Sequence, residues 1–282
     1  MTKPGRAFTV AAVQMRSTGD PKRNLAAAET LAAKAAERGA DVIAFPENVA
    51  YVRAEGRRLP PAESKDGATA ERFSRMAERH RAWVLAGTIG LRAEAGRRRS
   101  NASILFAPTG SIAAVYRKMH LFDVAIPGRA EFRESAIVAP GRRPVVARTP
   151  LGVFGLSICY DLRFPELYRH LALAGAQVLF VPSAFTAYTG RFHWTALLRA
   201  RAIENLAYVV APAQWGLHHT GRRSYGHTSV IDPWGRIVAE RANGTGVVIA
   251  RIDLARQAEL RRELPVLDHV RPELMSLRRT SV

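Results

Sequence analysis

The chain has 282 residues, of which 48% are hydrophobic, 23% charged and 8% aromatic. This balance excludes disorder and fibre and suffices for one large domain or two small ones. No apolar run approaches the roughly 18 to 20 residues of a bilayer span, and Ala7–Val13 is too short a run before Gln14 for a secretory leader, so a soluble, cytoplasmic protein without a membrane is expected.

The net charge is +18, and 37 of the 42 basic residues are arginine. They are scattered, the longest run being Arg97-Arg98-Arg99, with no aromatic-interleaved basic motif. The charge therefore reads as solvated surface, and nucleic acid is not the expected partner. An arginine-rich nucleic-acid-binding protein stays open as the rival outside enzymes, and salt-sensitive retention on DNA is its signature.

In chain order the pattern alternates short β-branched runs with longer Ala/Leu/Arg stretches. Strands are predicted at Phe8–Met15, Asp41–Phe45, Trp83–Leu91, Asn101–Phe106 and Ser111–Tyr116, with helices at Pro21–Arg38 and Ala68–His80. The second half repeats the rhythm with strands at Val145–Ala147, Val153–Ile158, Val178–Val181, Tyr208–Ala211, Thr228–Ile231 and Val247–Ile252, and helices at Pro165–Ala174 and His193–Asn205. Asp232-Pro233-Trp234-Gly235-Arg236 reads as a hairpin turn. The class is α/β. Apart from Arg53–Gly67 and Arg92–Arg99 no soft stretch interrupts the pattern, so residues 1–282 are read as one domain, with a tail at about 255–282 expected at an oligomer interface.

Cys159 is the only cysteine, which excludes an intrachain disulfide and a cysteine-rich zinc site. It lies where a predicted strand stops before a helix opening near Pro165. A sharp turn there lifts a side chain out of the sheet, and the N–H groups beyond it can hold an oxyanion and lower a thiol pKa. By itself, a lone cysteine reads equally as a small buried hydrophobe. Two other strand ends carry ionisable residues, Glu47 in Ala44-Phe45-Pro46-Glu47-Asn48 and Lys118 in Tyr116-Arg117-Lys118-Met119-His120-Leu121. Reactive groups in open α/β sheets gather outside the carboxyl ends of strands, so a thiol, a carboxylate and an amine converge there. The bland readings are a turn carboxylate for Glu47 and a solvated amine for Lys118. Among eight histidines the densest grouping is His218-His219 with His227, and adjacent residues of an extended segment point to opposite faces, so no metal site is expected.

These three segments, with Cys159-Tyr160-Asp161-Leu162-Arg163-Phe164-Pro165-Glu166 as the third, resemble the signature segments of the nitrilase superfamily of carbon–nitrogen hydrolases. The resemblance extends through Arg199–Glu204, Ser224-Tyr225-Gly226-His227 and Asp232-Pro233-Trp234-Gly235. It implies a four-layer α–β–β–α sandwich, a homodimer or larger homo-oligomer, and no cofactor. It also marks Glu134 as a second glutamate that positions Lys118. The downstream segments most resemble the Nit branch, whose amidases act on small carboxylate-bearing amides such as deaminated glutathione and α-keto acid amides. N-carbamoyl amino acids, aliphatic amides and nitriles are the rival substrates.

The expected chemistry is acyl transfer through a thioester: Glu47 takes the Cys159 proton, and Lys118 with the Tyr160 backbone N–H stabilises the oxyanion. Removal of Lys118 is expected to slow turnover while leaving folding nearly intact. Candidate substrate contacts are Tyr51, Arg163, Phe185, Thr186 and His193, with Arg163 suited to grip a carboxylate.

Overall fold

The computed structural model describes residues 7–53, 59–94, 96, 98–125, 131–219, 221–271 and 273. Its elements run β1 (Phe8–Gln14), α1 (Pro21–Glu37), β2 (Val42–Ala44), α2 (Ala68–His80), β3 (Trp83–Arg92), β4 (Arg99–Phe106), β5 (Ile112–Arg117), β6 (Asp123–Ala125) and β7 (Glu131–Arg133). The second half contains β8 (Val145–Thr149), β9 (Gly152–Leu156), α3 (Pro165–Leu173), β10 (Val178–Phe180), α4 (Ala187–Asn205) and β11 (Tyr208–Ala211). It closes with β12 (Trp215–Leu217), β13 (Arg223–Tyr225), β14 (Thr228–Ile231), β15 (Ile237–Arg241), β16 (Gly246–Ile252) and α5 (Leu254–Glu263).

Two six-stranded sheets form, in the orders β16-β1-β2-β3-β4-β5 and β15-β14-β11-β10-β9-β8. Each has a parallel centre, β1-β2-β3 in one and β9-β10-β11 in the other, with antiparallel strands outside. The period of two along β1 assigns the layers: Val10 and Ala12 pack with Phe154, Leu156 and Phe180 of the second sheet, whereas Ala11 and Val13 pack with Leu25, Leu31, Phe73 and Met76 of α1 and α2. Tyr168, Leu171, Trp194 and Leu198 of α3 and α4 cover the other face of the second sheet. The α–β–β–α sandwich expected from the resemblance is present.

Departures from the sequence reading have local causes. α4 starts at Ala187, six positions ahead of the predicted His193, because Thr186-Ala187-Tyr188-Thr189-Gly190 has loop composition. Gly190 is needed there: a Cβ on it would lie 2.4 Å from the Tyr225 ring. The three-residue strands β6, β7, β12 and β13 are too short to carry a period. The predicted tail opens as α5, capped by Asp253, and α5 is tied to its own chain by Gln257 and Arg261, which donate to the carbonyls of Leu206, Gln177 and Ala176. The rest of the tail at 272 and 274–282, like 54–58 of the soft stretch, lies outside the described residues. The hairpin turn is as expected, with Asp232 N–H donating to the Arg236 carbonyl at 2.9 Å and Gly235 at φ 81°. Among the described residues no helix is long and apolar enough to cross a membrane.

Gly87 sets the position of the segment that carries Glu47. A Cβ at Gly87 would sit 2.0 Å from the Phe45 carbonyl oxygen and 2.3 Å from that of Pro46, so only glycine lets β3 lie against this segment. Gly87→Ala is expected to lower stability by about 1 to 3 kcal/mol, the usual cost of overpacking. Urea denaturation checks this as a lower midpoint with an unchanged slope.

Candidate active site

Beyond β9 the chain stays paired with the segment after β10, Ser157 N–H donating to Phe180 and Cys159 N–H to Pro182 at 3.0 Å. At Cys159 the backbone turns into the left-handed region, φ 47°, and enters a 3₁₀ turn over Cys159–Arg163 before α3. A β-carbon residue holds such a conformation only where its surroundings over-determine it. Buried Asp161 does so by accepting from Ile158 N–H (2.9 Å) and Tyr116 O–H (2.8 Å) on one oxygen, and from His120 N–H (3.0 Å) on the other. The nucleophile turn is thereby tied to the strand end that carries Lys118. Arg201 holds the far side, donating twice to the Leu162 carbonyl.

Glu47 follows β2, and Lys118 follows β5. Lys118 is 2% exposed and its ammonium lies 3.0 Å from Glu47 Oε1 and 2.8 Å from Glu134 Oε2. Glu134 arrives on the turn after β7 and also accepts from Phe122 N–H at 2.7 Å. Glu47 Oε2 accepts from Ala184 N–H at 2.9 Å, and Cys159 lies close enough to this carboxylate for each to shift the pKa of the other. The backbone around Glu47 is pinned from both sheets: Asn48, at φ 58°, donates to Thr88 Oγ1, and the buried Gln214 amide donates to the Glu47 carbonyl at 3.0 Å. The structure thus brings Glu47, Lys118, Glu134 and Cys159 together, the first three in one hydrogen-bonded group and the thiol beside it.

Burial favours the neutral form of every member, and the charge pattern decides the outcome. Burial raises the Glu47 pKa, but the Lys118 ammonium, hydrogen bonds from Cys159 and Lys118, and the Arg222 charge outweigh it and hold this carboxyl below its usual value. Burial works against the Lys118 charge, yet Glu134 and Glu47 lift its pKa well above that of a free lysine. For Cys159, burial and then the Glu47 anion push the thiol far up, and Lys118 does not reverse them. This corrects the expectation of a lowered thiol pKa: the turn does supply N–H groups, but the sulfur is buried beside an anion, so it rests as a neutral thiol.

The group opens into a cavity of about 890 Å³, the candidate substrate space. Tyr51, Tyr160, Arg163, Phe185 and Thr186 line it. His193 does not; one turn into α4 it is exposed and holds Arg163 from behind, Nη1 to Nδ1 3.1 Å. Arg163 also lies over the Tyr160 and Phe185 rings, and among the described residues no acid pairs with it. Part of the arginine excess lines this cavity: Arg53, Arg191 and Arg223 from exposed positions, and Arg99 and Arg222 half-buried. His218 is buried between the Ser17 carbonyl and Ser224 Oγ, and His227 faces Glu240.

Sequence reasoning missed Asn101, whose amide reaches Glu47 Oε1 at 3.0 Å and Glu134 Oε1 at 3.2 Å, and Arg222, which donates to the Ala184 carbonyl at 2.8 Å. It also missed the positioning contacts of Asp161 and Gln214. An asparagine near the start of a strand and an arginine among 37 carry no local signal.

A match to the carbon–nitrogen hydrolase family covers residues 9–262. Deaminated glutathione amidase of Synechocystis sp. is 45% identical over 266 residues, 93% of this chain and 97% of the relative. The human deaminated glutathione amidase is 43% identical over 272 residues, 94% of this chain and 83% of the relative. Among solved structures, the C. elegans NitFhit protein superposes with a TM-score of 0.85 at 36% identity, covering 96% of this chain and 67% of that one. Fold, buried thiol site and similarity over nearly the whole length agree, and the chain belongs to the carbon–nitrogen hydrolase family, within the nitrilase superfamily.

Proposed function

We propose that this hydrolase cleaves a small carboxylate-bearing amide of the deaminated glutathione type through a Cys159 thioester. The observation that carries the chemistry is a buried thiol set beside a carboxylate that the Lys118 ammonium, 3.0 Å away, keeps ionised. As sulfur attacks the carbonyl carbon, the thiol proton passes to Glu47 and the carbonyl oxygen becomes an oxyanion. Lys118 and the Tyr160 backbone N–H stabilise that oxygen, a contribution of about 3 to 4 kcal/mol per donor in other acyl-transfer enzymes. Glu47 returns the proton to the leaving nitrogen as the C–N bond breaks. Water then gives a proton to Glu47 and its oxygen to the acyl carbon, and the sulfur leaves and recovers its proton. Glu134 keeps Lys118 in place.

Arg163, with a histidine and two ring faces as partners, is the cation best suited to a substrate carboxylate. The names of the relatives, together with the arginine-lined cavity, favour deaminated glutathione over simple aliphatic amides and nitriles. A lone free thiol at the centre of the site fits a reducing compartment, so we place the enzyme in the cytoplasm.

Ammonia release from deaminated glutathione, α-ketoglutaramate, N-carbamoyl amino acids and simple nitriles should be fastest with the first, and exclusive turnover of a carbamoyl compound overturns the substrate assignment. Arg163→Met should raise KM for the carboxylate-bearing amide while sparing kcat.

Cys159→Ala should abolish turnover, and full activity in it ends the thioester proposal. Against the sequence expectation of nearly intact folding, Lys118→Ala should, besides losing turnover, destabilise the fold by about 3 to 5 kcal/mol, because Lys118 is buried and its removal strands two carboxylates without their cation. A melting temperature equal to that of the wild type would contradict this.

Because the Glu47 pKa is depressed, its base form persists as pH falls and is lost only below the ordinary carboxylate range. The acid limb of kcat/KM should lie there and vanish in Glu47→Gln.

A further inference from the structure

The charges of the site do not balance on their own. Glu47 and Glu134 both contact Lys118, so two carboxylates share one ammonium in a buried place, and each repels the other. The Lys118 ammonium offers three N–H donors, of which one goes to each glutamate. The Asn101 side chain reaches both glutamates as well, sharing Glu47 Oε1 with Lys118 and taking the other oxygen of Glu134. Its Nδ2 is 3.0 Å from Glu47 Oε1 and 3.2 Å from Glu134 Oε1. With two acceptor-only carboxylates as partners, the amide must turn its NH₂ toward them, and that group has two protons to give. The backbone of the same residue completes the arrangement, since the Asn101 carbonyl accepts Lys118 N–H at 2.9 Å. One residue of β4 therefore touches three of the four members of the site and closes a ring of donors and acceptors through Lys118, Glu134 and Glu47.

We propose that Asn101 is a positioning residue of this hydrolase: its amide gives one N–H to each glutamate and so holds both carboxylates against Lys118 without adding charge. A carboxylate at this place would supply no donor and bring a third negative charge, and an apolar side chain would leave the glutamates to repel one another across the gap. The groups facing Glu47 are Lys118 from the end of β5, Glu134 after β7 through Asn101, Cys159 after β9 and Arg222 ahead of β13. Of these only Lys118 and Arg222 are cations, so withdrawal of the neutral donor makes Glu47 a stronger proton acceptor at rest. A base that already carries its proton cannot take that of the thiol. The proposal rests on Glu47 being the base of the reaction.

The test reads the thiol directly, because Cys159 is the only cysteine and its alkylation by iodoacetamide can be counted by mass. Alkylation rate and kcat/KM for deaminated glutathione are followed against pH in the wild type, Asn101→Leu, Asn101→Asp and Glu47→Gln. In Asn101→Leu the acid limb should move up by about one to two pH units, so that below the wild-type limb the rate falls about 10- to 100-fold, the range expected for loss of a hydrogen bond to a charged group. The loss should fall on kcat with KM little changed. Asn101→Asp, nearer in shape, should be the slower of the two; a residue that merely filled space would rank them the other way. An unmoved acid limb in Asn101→Leu, or an Asp variant faster than the Leu variant, overturns the proposal. If Asn101→Leu does not fold, Asn101→Ser, whose hydroxyl is too short to span both carboxylates, carries the same comparison. A limb that persists in Glu47→Gln removes the base assignment and this proposal with it, whereas a limb lost there and unmoved in Asn101→Leu removes only the role of Asn101.

Discussion

A lysine ammonium buried between two carboxylates is the constraint around which this molecule is built. Taking any one of these ions out of water costs several kcal/mol, and only mutual attraction with complete hydrogen bonding offsets that cost. Lys118 meets Glu47 and Glu134, and the surplus negative charge is met by N–H groups of Ala184, Phe122 and Asn101. These donors come from β4 and from the segments after β5 and β10. The site is therefore satisfied only when both sheets are in place, which makes its electrostatics a consequence of the complete sandwich.

Rigidity enters the same way. Asp161 joins the Lys118 segment to the Cys159 turn, because its two oxygens are spent on Tyr116 and Ile158 on one side and His120 on the other. Gln214 does the equivalent for Glu47, reaching its carbonyl from the second sheet while accepting Ser17 N–H. Gly87 permits β3 to approach closely enough for Thr88 to hold Asn48. Three positions with unusual backbone or tight approach thus surround the reacting groups, each locked by a buried polar partner, which is how strain persists at a functional site.

The parts visible in the sequence were those with a local signature. Strand and helix periods placed all but the short strands β6, β7, β12 and β13, the strand β15, α5 and the first turns of α4, and the abrupt end of β9 singled out Cys159. Glu47 and Lys118 were legible as ionisable residues at strand ends, a position that sheet topology makes reactive. Asn101, Asp161, Gln214 and Arg222 were not, because their roles consist of contacts between segments up to 197 residues apart, as in the bond from Ser17 to Gln214. Direction of charge effects was equally hidden. The motif supplied a lysine near the thiol, and only the geometry revealed that the Glu47 anion and burial outweigh it.

That outcome gives the site its logic. A resting thiolate would be nucleophilic toward any electrophile and open to oxidation, since both reactions follow thiolate character. Here sulfur keeps its proton and the negative charge sits on Glu47, which has three donors to stabilise it: Lys118, Asn101 and Ala184 N–H. In the proposed reaction, proton transfer from sulfur becomes favourable only as the new S–C bond moves charge onto a carbonyl oxygen beside Lys118. The same ammonium that holds Glu47 ionised at rest then serves the charge that develops on the substrate, so reactivity is coupled to the arrival of an amide carbonyl.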